Sequence, residues 1–180
     1  MPPLLSVLIA ASLDGYIARP DGSLDWLEAT ARPDEDYGYE AFVAGVDAFA
    51  MGRGTYDHIA HIEPLPFGGK PAYAFTHRPP AERDGVTFWA VDPLEAVERW
   101  SERGFGRVYV DGGLLIDAFL RAGLIDEVTI TVVPVLLGDG VPLFHAGFDQ
   151  RTLSLVGAET YPSGMVQLRY TVPRAPVGGG

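Results

Sequence analysis

The chain has 180 residues, of which 47% are hydrophobic and 21% charged; that balance excludes a disordered polymer and suits one domain with a full hydrophobic core. A net charge of −11 argues against general nucleic-acid binding and against docking on anionic membranes. The absence of cysteine excludes disulfides, thiolate metal sites and a cysteine nucleophile.

In chain order, the first element is the apolar run "LLSVLIAAS", Leu4–Ser12. It ends in small residues, as a signal-peptide core does, but the first basic residue is Arg19, so the positive n-region is missing. The run is read as the first, buried strand of a cytoplasmic protein. Turn signals follow at Asp14-Gly15 and Pro20-Asp21-Gly22. Helical spacing of Tyr39, Phe42, Val43 and Val46 predicts a helix over Asp34–Gly45. "VDAFAM" is a second strand, and the chain from Gly52 opens a short helix. "AYAFT" and "VTFWA" are strands three and four.

The clearest helix is "DPLEAVERWSERG": Asp92 can cap it, Pro93 fits its first turn, Glu95 sits at the capping-box position and Gly104 can end it. "RVYVDGG" is a fifth strand running into glycines, and "LLIDAFLRAGLID" is a helix with Gly123 as its stop. "EVTITVVPVLL" is strand again, and two strands flank Pro162-Ser163-Gly164 near the C-terminus. Strand–helix alternation followed by a hairpin predicts one α/β domain, residues 1–174, with a mostly parallel sheet and an antiparallel C-terminal edge. The tail, residues 175–180, is expected to be disordered.

Ligands of open α/β sheets bind beyond the carboxyl ends of the strands, where helix N-termini present free N–H groups to anions. Two junctions have suitable chemistry: Gly52-Arg53-Gly54-Thr55 and Asp111-Gly112-Gly113. A third strand end carries Thr76, His77 and Arg78, a set suited to a phosphate monoester. A glycine pair at a strand end is more commonly a tight turn, and "FTHRPP" reads equally as a solvated loop. Three donor-bearing strand ends together point to an extended ligand with more than one phosphate, such as a dinucleotide. His58 and His61 stand three apart without a surrounding metal-ligand set.

The order of "ASLDGYIA", "DGSLDWL", "MGRGTY", "VDGGLLIDAFL", "GLIDEVTITVVPVLLGDGVPLF" and "YPSGMVQLRY" resembles the dihydrofolate reductase-like superfamily. The nearest branch is the RibD C-terminal domain type, the reductase module of riboflavin biosynthesis, as a stand-alone member. The resemblance implies a three-layer fold with a central mixed sheet and helices on both faces, NADPH as hydride donor, and a homodimer. It places Ala10, Ala11 and Ile17 near the nicotinamide, and Gly52, Arg53, Gly54 and Thr55 at the phosphates. Thr76, His77 and Arg78 fall at the adenosine 2′-phosphate. Asp111, Gly112 and Gly113, with Leu114 and Leu115 behind them, fall at the pyrophosphate. Dihydrofolate reductases proper have three glycines there, and this chain has an acid in the first place, as the riboflavin branch tends to.

On the substrate side, dihydrofolate reductases use one carboxylate of the first helix. Counting back from Gly52 places Asp36 there, whereas aligning Phe42 places Gly38 or Tyr39 there. Asp36 and Glu40 would share one helix face, and either is the acid or both are solvated. Trp26 falls in the loop that closes the nicotinamide pocket in relatives, or is a core anchor. The expected function is an NADPH-dependent reductase of a heterocycle, of the 5-amino-6-(5-phosphoribosylamino)uracil reductase type. The alternatives are a true dihydrofolate reductase acting on a pterin, a non-catalytic NADP(H)-binding protein and, more remotely, a hydrolase using His58 or His61.

Overall fold

A computed structural model describes residues 1–147 and 149–173, so the expected tail lies outside the described residues. The chain runs β1 (Leu4–Ser12), β2 (Tyr16–Ala18), α1 (Asp25–Glu28), α2 (Tyr39–Ala44), β3 (Ala48–Gly52), α3 (Arg53–Ile59), β4 (Ala72–Phe75) and β5 (Val86–Trp89). It continues through α4 (Pro93–Glu102), β6 (Arg107–Asp111), α5 (Gly113–Arg121), β7 (Glu127–Val133), β8 (Val141–Pro142), β9 (Ser154–Thr160) and β10 (Val166–Thr171).

Eight strands form one sheet in the order β5-β4-β3-β6-β1-β7-β10-β9. Neighbours from β5 to β7 are parallel, and β10 and β9 add an antiparallel edge. After β1 the chain builds outward through β3, β4 and β5, then returns to insert β6 beside β1. Such a reversal of strand order opens a crevice at the carboxyl ends of the strands.

Strand alternation divides the core into two layers. Ala48 and Ala50 of β3, Tyr73 of β4 and Val108 and Val110 of β6 pack with Trp100 of α4 and Ile116 and Phe119 of α5. Their sequence neighbours Phe49, Met51, Ala72, Ala74 and Tyr109 pack with Phe42 of α2 and Tyr56 of α3. Successive side chains of a strand point to opposite faces, so the helices flank the sheet on both sides. This is the three-layer dihydrofolate reductase-like fold.

The local signals of α4 act largely as expected. Asp92 accepts a hydrogen bond from the Glu95 N–H at 2.9 Å, Pro93 opens the helix, and Gly104 follows its end at φ 74°. The Glu95 carboxylate turns to Arg99 at 2.6 Å instead of completing a capping box. The helix expected over Asp34–Gly45 is shorter. Tyr37 (φ 56°) and Gly38 (φ 74°) are consecutive left-handed residues, which no α-helix accommodates, and α2 begins only at Tyr39. Asp36 and Glu40 therefore do not share a helix face.

Two features fall outside the sequence expectation: the single-turn helix α1 and the ribbon in which β2 pairs antiparallel with β8. Asp14 anchors the turn between β1 and β2. It accepts from the Ser12 hydroxyl at 2.6 Å and from the N–H groups of Leu137 and Gly138 at 3.1 and 2.7 Å. These bonds, led by that from Ser12, hold its carboxyl down at about 2.

Candidate active site

A cavity of about 840 Å³ lies in this crevice. Its walls come from the carboxyl ends of β1 (Ala10), β3 (Gly52), β4 (Phe75) and β6 (Asp111), from the start of α3, and from the start of α5. The β2–β8 ribbon adds Ile17 and Val141.

The two glycine junctions, far apart in the chain, meet beneath the cavity. Gly112 has φ 94°, a conformation that L side chains rarely adopt, and a Cβ built on it would lie 2.7 Å from the Thr55 hydroxyl oxygen. A Cβ on Gly52 would touch Leu115 Cβ at 3.9 Å, whereas one on Gly54 would meet no protein atom within 4 Å. No side chain caps α5, so its first turn offers backbone N–H groups at the cavity. Gly113 behaves differently. It is buried, and a Cβ there would meet the Pro142 carbonyl oxygen at 2.9 Å and Ile17 Cδ1 at 3.1 Å. A side chain at Gly113 would therefore collide with the β2–β8 ribbon.

Of the expected cofactor residues, Ala10, Ile17, Gly52, Arg53, Gly54, Thr55, Asp111, Gly112, Gly113, Leu114 and Leu115 line the cavity. Ala11 is 3% exposed and belongs to the core. Thr76, His77 and Arg78 do not line it, but they continue from Phe75, which does. Arg53 ties this strand end to α3: it donates to Asp57 at 2.7 Å and to the Arg78 carbonyl at 2.6 Å.

On the substrate side, Asp36 and Tyr39 line the cavity and Glu40 does not. Asp36 is exposed at the rim, and its carboxylate accepts from the Tyr39 N–H at 2.9 Å. Trp26 is a core anchor, buried against Val133 and Met165. The sequence reading did not single out Leu8, Leu24, Leu27, Tyr37, Thr131 and Met165 as lining residues. They are ordinary core types at unremarkable positions, and only tertiary packing turns them towards a cavity.

Asp111 carries the most unusual chemistry. The residue is half-buried on the cavity wall, and burial pushes its carboxyl from 3.8 up to about 6 although the Gly112 N–H donates to it at 2.8 Å. Tyr39 and Tyr109 surround it electrostatically. Burial first, and the charge of Asp111 second, raise both phenols. The Tyr109 hydroxyl donates to the Leu8 carbonyl at 2.7 Å.

The model of the RibD C-terminal domain matches residues 68–167. The chain belongs to the RibD C-terminal domain family. The uncharacterized protein YwjB of Bacillus subtilis is 38% identical over 165 residues, covering 90% of this chain and 94% of that one. Among solved structures, a Shewanella sp. PV-4 protein provisionally named as a riboflavin biosynthesis protein is 34% identical. It superposes with a TM-score of 0.86 and covers 97% of this chain and 100% of its own. The Thermotoga maritima diaminohydroxyphosphoribosylaminopyrimidine deaminase/5-amino-6-(5-phosphoribosylamino)uracil reductase shares the fold at a TM-score of 0.72 and 14% identity, over 96% of this chain and 57% of its own.

Proposed function

We propose that this RibD-type domain is an NADPH-dependent reductase that transfers hydride to a heterocyclic substrate. The observation that carries the reading is the contact between the two glycine junctions. At Gly112 the backbone adopts a conformation open to glycine and fits against Thr55, where an uncapped helix start faces a cavity of about 840 Å³. That is a cradle for a pyrophosphate. The residues present fit a dinucleotide. Gly52–Thr55 and the first turn of α5 would hold its phosphates, and Ala10 and Ile17 would wall the nicotinamide. Thr76, His77 and Arg78, at the next strand end, would take the 2′-phosphate.

NADPH, when bound, supplies the hydride. The chain's own part is to bind, to orient the reacting carbons and to exclude water, for which an apolar cavity is suited. Reduction of a ring C=N or C=C bond also needs a proton. We assign its donation to Asp111 rather than to Asp36. Asp111 lines the cavity and is pushed by burial up to about 6, so roughly a tenth of it still holds its proton at pH 7. Asp36 is exposed, and its carboxylate is engaged in the turn that starts α2.

The test is a titration of the purified protein with NADPH, followed by NADPH oxidation in the presence of candidate pyrimidines and pterins. Asp111→Asn should lower turnover about 100-fold, the usual worth of a positioned acid. A protein that does not bind NADPH would end the reading. One that binds NADPH and oxidises it with no heterocycle would be a binding protein and not a reductase.

A further inference from the structure

We infer, building on the reductase reading, that the substrate of this protein is a flat heterocycle that carries no phosphate group. Lining residues fall into two groups on either side of β1. The junctions at β3 and β6 lie on one side. Thr131 of β7 and Met165, just before β10, lie on the other, joined by Leu24, Leu27, Ala31 and Tyr37. If the first side holds the phosphates of the cofactor, the second is left for the substrate.

That second side offers no cation. Among the described residues, the lining cations or potential cations are Arg53 and His58, both on α3. In the order β3-β6-β1-β7, three interstrand spacings of about 4.8 Å separate α3's strand from β7, roughly 14 Å. The guanidinium of Arg53 is already bonded to Asp57 and to the Arg78 carbonyl. Basic residues near the second side are engaged elsewhere and do not line the cavity. Arg19 pairs with Asp25 at 2.6 Å, and Arg32 pairs with Asp34 at 3.1 Å and Glu35 at 3.5 Å. Even the neutral donor Gln167 is occupied, giving its amide hydrogens to the Tyr37 carbonyl at 2.8 Å and the Thr131 hydroxyl at 3.1 Å.

Among the described residues, the charge that faces the cavity there is the Asp36 carboxylate at the rim. A phosphate monoester carries nearly two negative charges at neutral pH. Placed among Leu24, Leu27, Ala31 and Met165 it would lose its hydration, gain no cationic partner and face Asp36 in a chain of net charge −11. The aromatic and aliphatic walls favour the opposite ligand, an uncharged ring system.

The experiment compares pairs of compounds that differ only in the phosphate. These are 5-amino-6-ribosylaminouracil with its 5′-phosphate, and neopterin with its phosphate. Each is offered to the full chain saturated with NADP⁺ for binding and with NADPH for turnover. The expected result is that the unphosphorylated member of at least one pair binds or turns over roughly tenfold or more better than its phosphate ester. Equal use of the two members, or preference for the phosphorylated one, overturns the inference. Binding of no member of either pair overturns it too, since the second side would then not be a ring site. NADPH affinity, measured alone on the same protein, keeps the two readings apart. Its absence sinks the reductase, while NADPH binding with preference for the phosphate esters sinks only this inference.

Discussion

Asn in place of Asp111 should make the ligand-free protein more stable, and only above a certain pH. The carboxyl is pushed from 3.8 up to about 6 by burial, so the fold holds its proton more tightly than the unfolded chain does. The contribution of such a group to stability is fully present below pH 3.8 and is lost as pH rises through 6. At about 1.36 kcal/mol per pH unit, the loss approaches 3 kcal/mol at neutral pH. That is an upper bound, because water entering the cavity would solvate the charge. Asp111→Asn keeps an acceptor for the Gly112 N–H, which donates to Asp111 at 2.8 Å, and removes the ionisation. In denaturant or thermal melts from pH 4 to 8, variant and parent should nearly coincide at pH 4. The variant should then pull ahead by up to about 3 kcal/mol at pH 7, about 6–12 °C for a domain of this size. Carboxylates that stabilise the other way, such as Asp14 held at about 2, are common to both chains and cancel in the difference. A difference that stays constant from pH 4 to 8, or a variant less stable at pH 7, would refute the burial of Asp111.

Gly112→Ala should lower stability by about 1–3 kcal/mol from its left-handed φ alone, and by more because its Cβ would sit 2.7 Å from the Thr55 hydroxyl; adding Thr55→Ala should restore part of the loss, and no restoration would mean that the junctions do not touch. Arg78→Ala should weaken NADPH roughly ten- to a hundredfold and leave NADH nearly unchanged, whereas equal losses in direct titration would remove the β4 strand end from the 2′-phosphate site. Strand β9 ends the sheet as an open edge, with Leu155 and Val156 exposed at 60% and 64% on its two faces, and an open edge can pair with a second copy of the chain. Light scattering should therefore give twice the 19.4 kDa of one chain, and Leu155→Glu with Val156→Lys should give monomers; a parent protein already monomeric would dismiss the homodimer.

What the sequence disclosed was local in origin. Asp92 before Pro93 and the glycines after α4 and α5 mark helix ends through contacts within a few residues, and alternation along β3, β4 and β6 marks which side chain enters which layer. The helix over Asp34–Gly45 failed at Tyr37. The apolar spacing was real, but a left-handed pair at Tyr37 and Gly38 interrupted it, and a tyrosine does not announce a positive φ. The site was legible in its parts and not in its assembly. "MGRGTY" and "VDGG" each read as a glycine turn or a phosphate junction, and nothing local says that Gly112 rests on Thr55 or that Gly113 is spent on the ribbon formed by β2 and β8. The same limit explains the acid. Asp36 drew attention because its place along the chain matched a helix carboxylate, yet proton affinity is set by surroundings, and the surroundings of Asp111 come from β1, β3, α2 and β6 together. A carboxyl at the end of a central strand, beside a glycine that keeps the chain close, can be enclosed by its neighbours. A carboxyl in an exposed turn cannot, whatever its spacing. For that reason we propose the "DGG" junction, on burial, and not the turn before α2 as the proton donor of this domain.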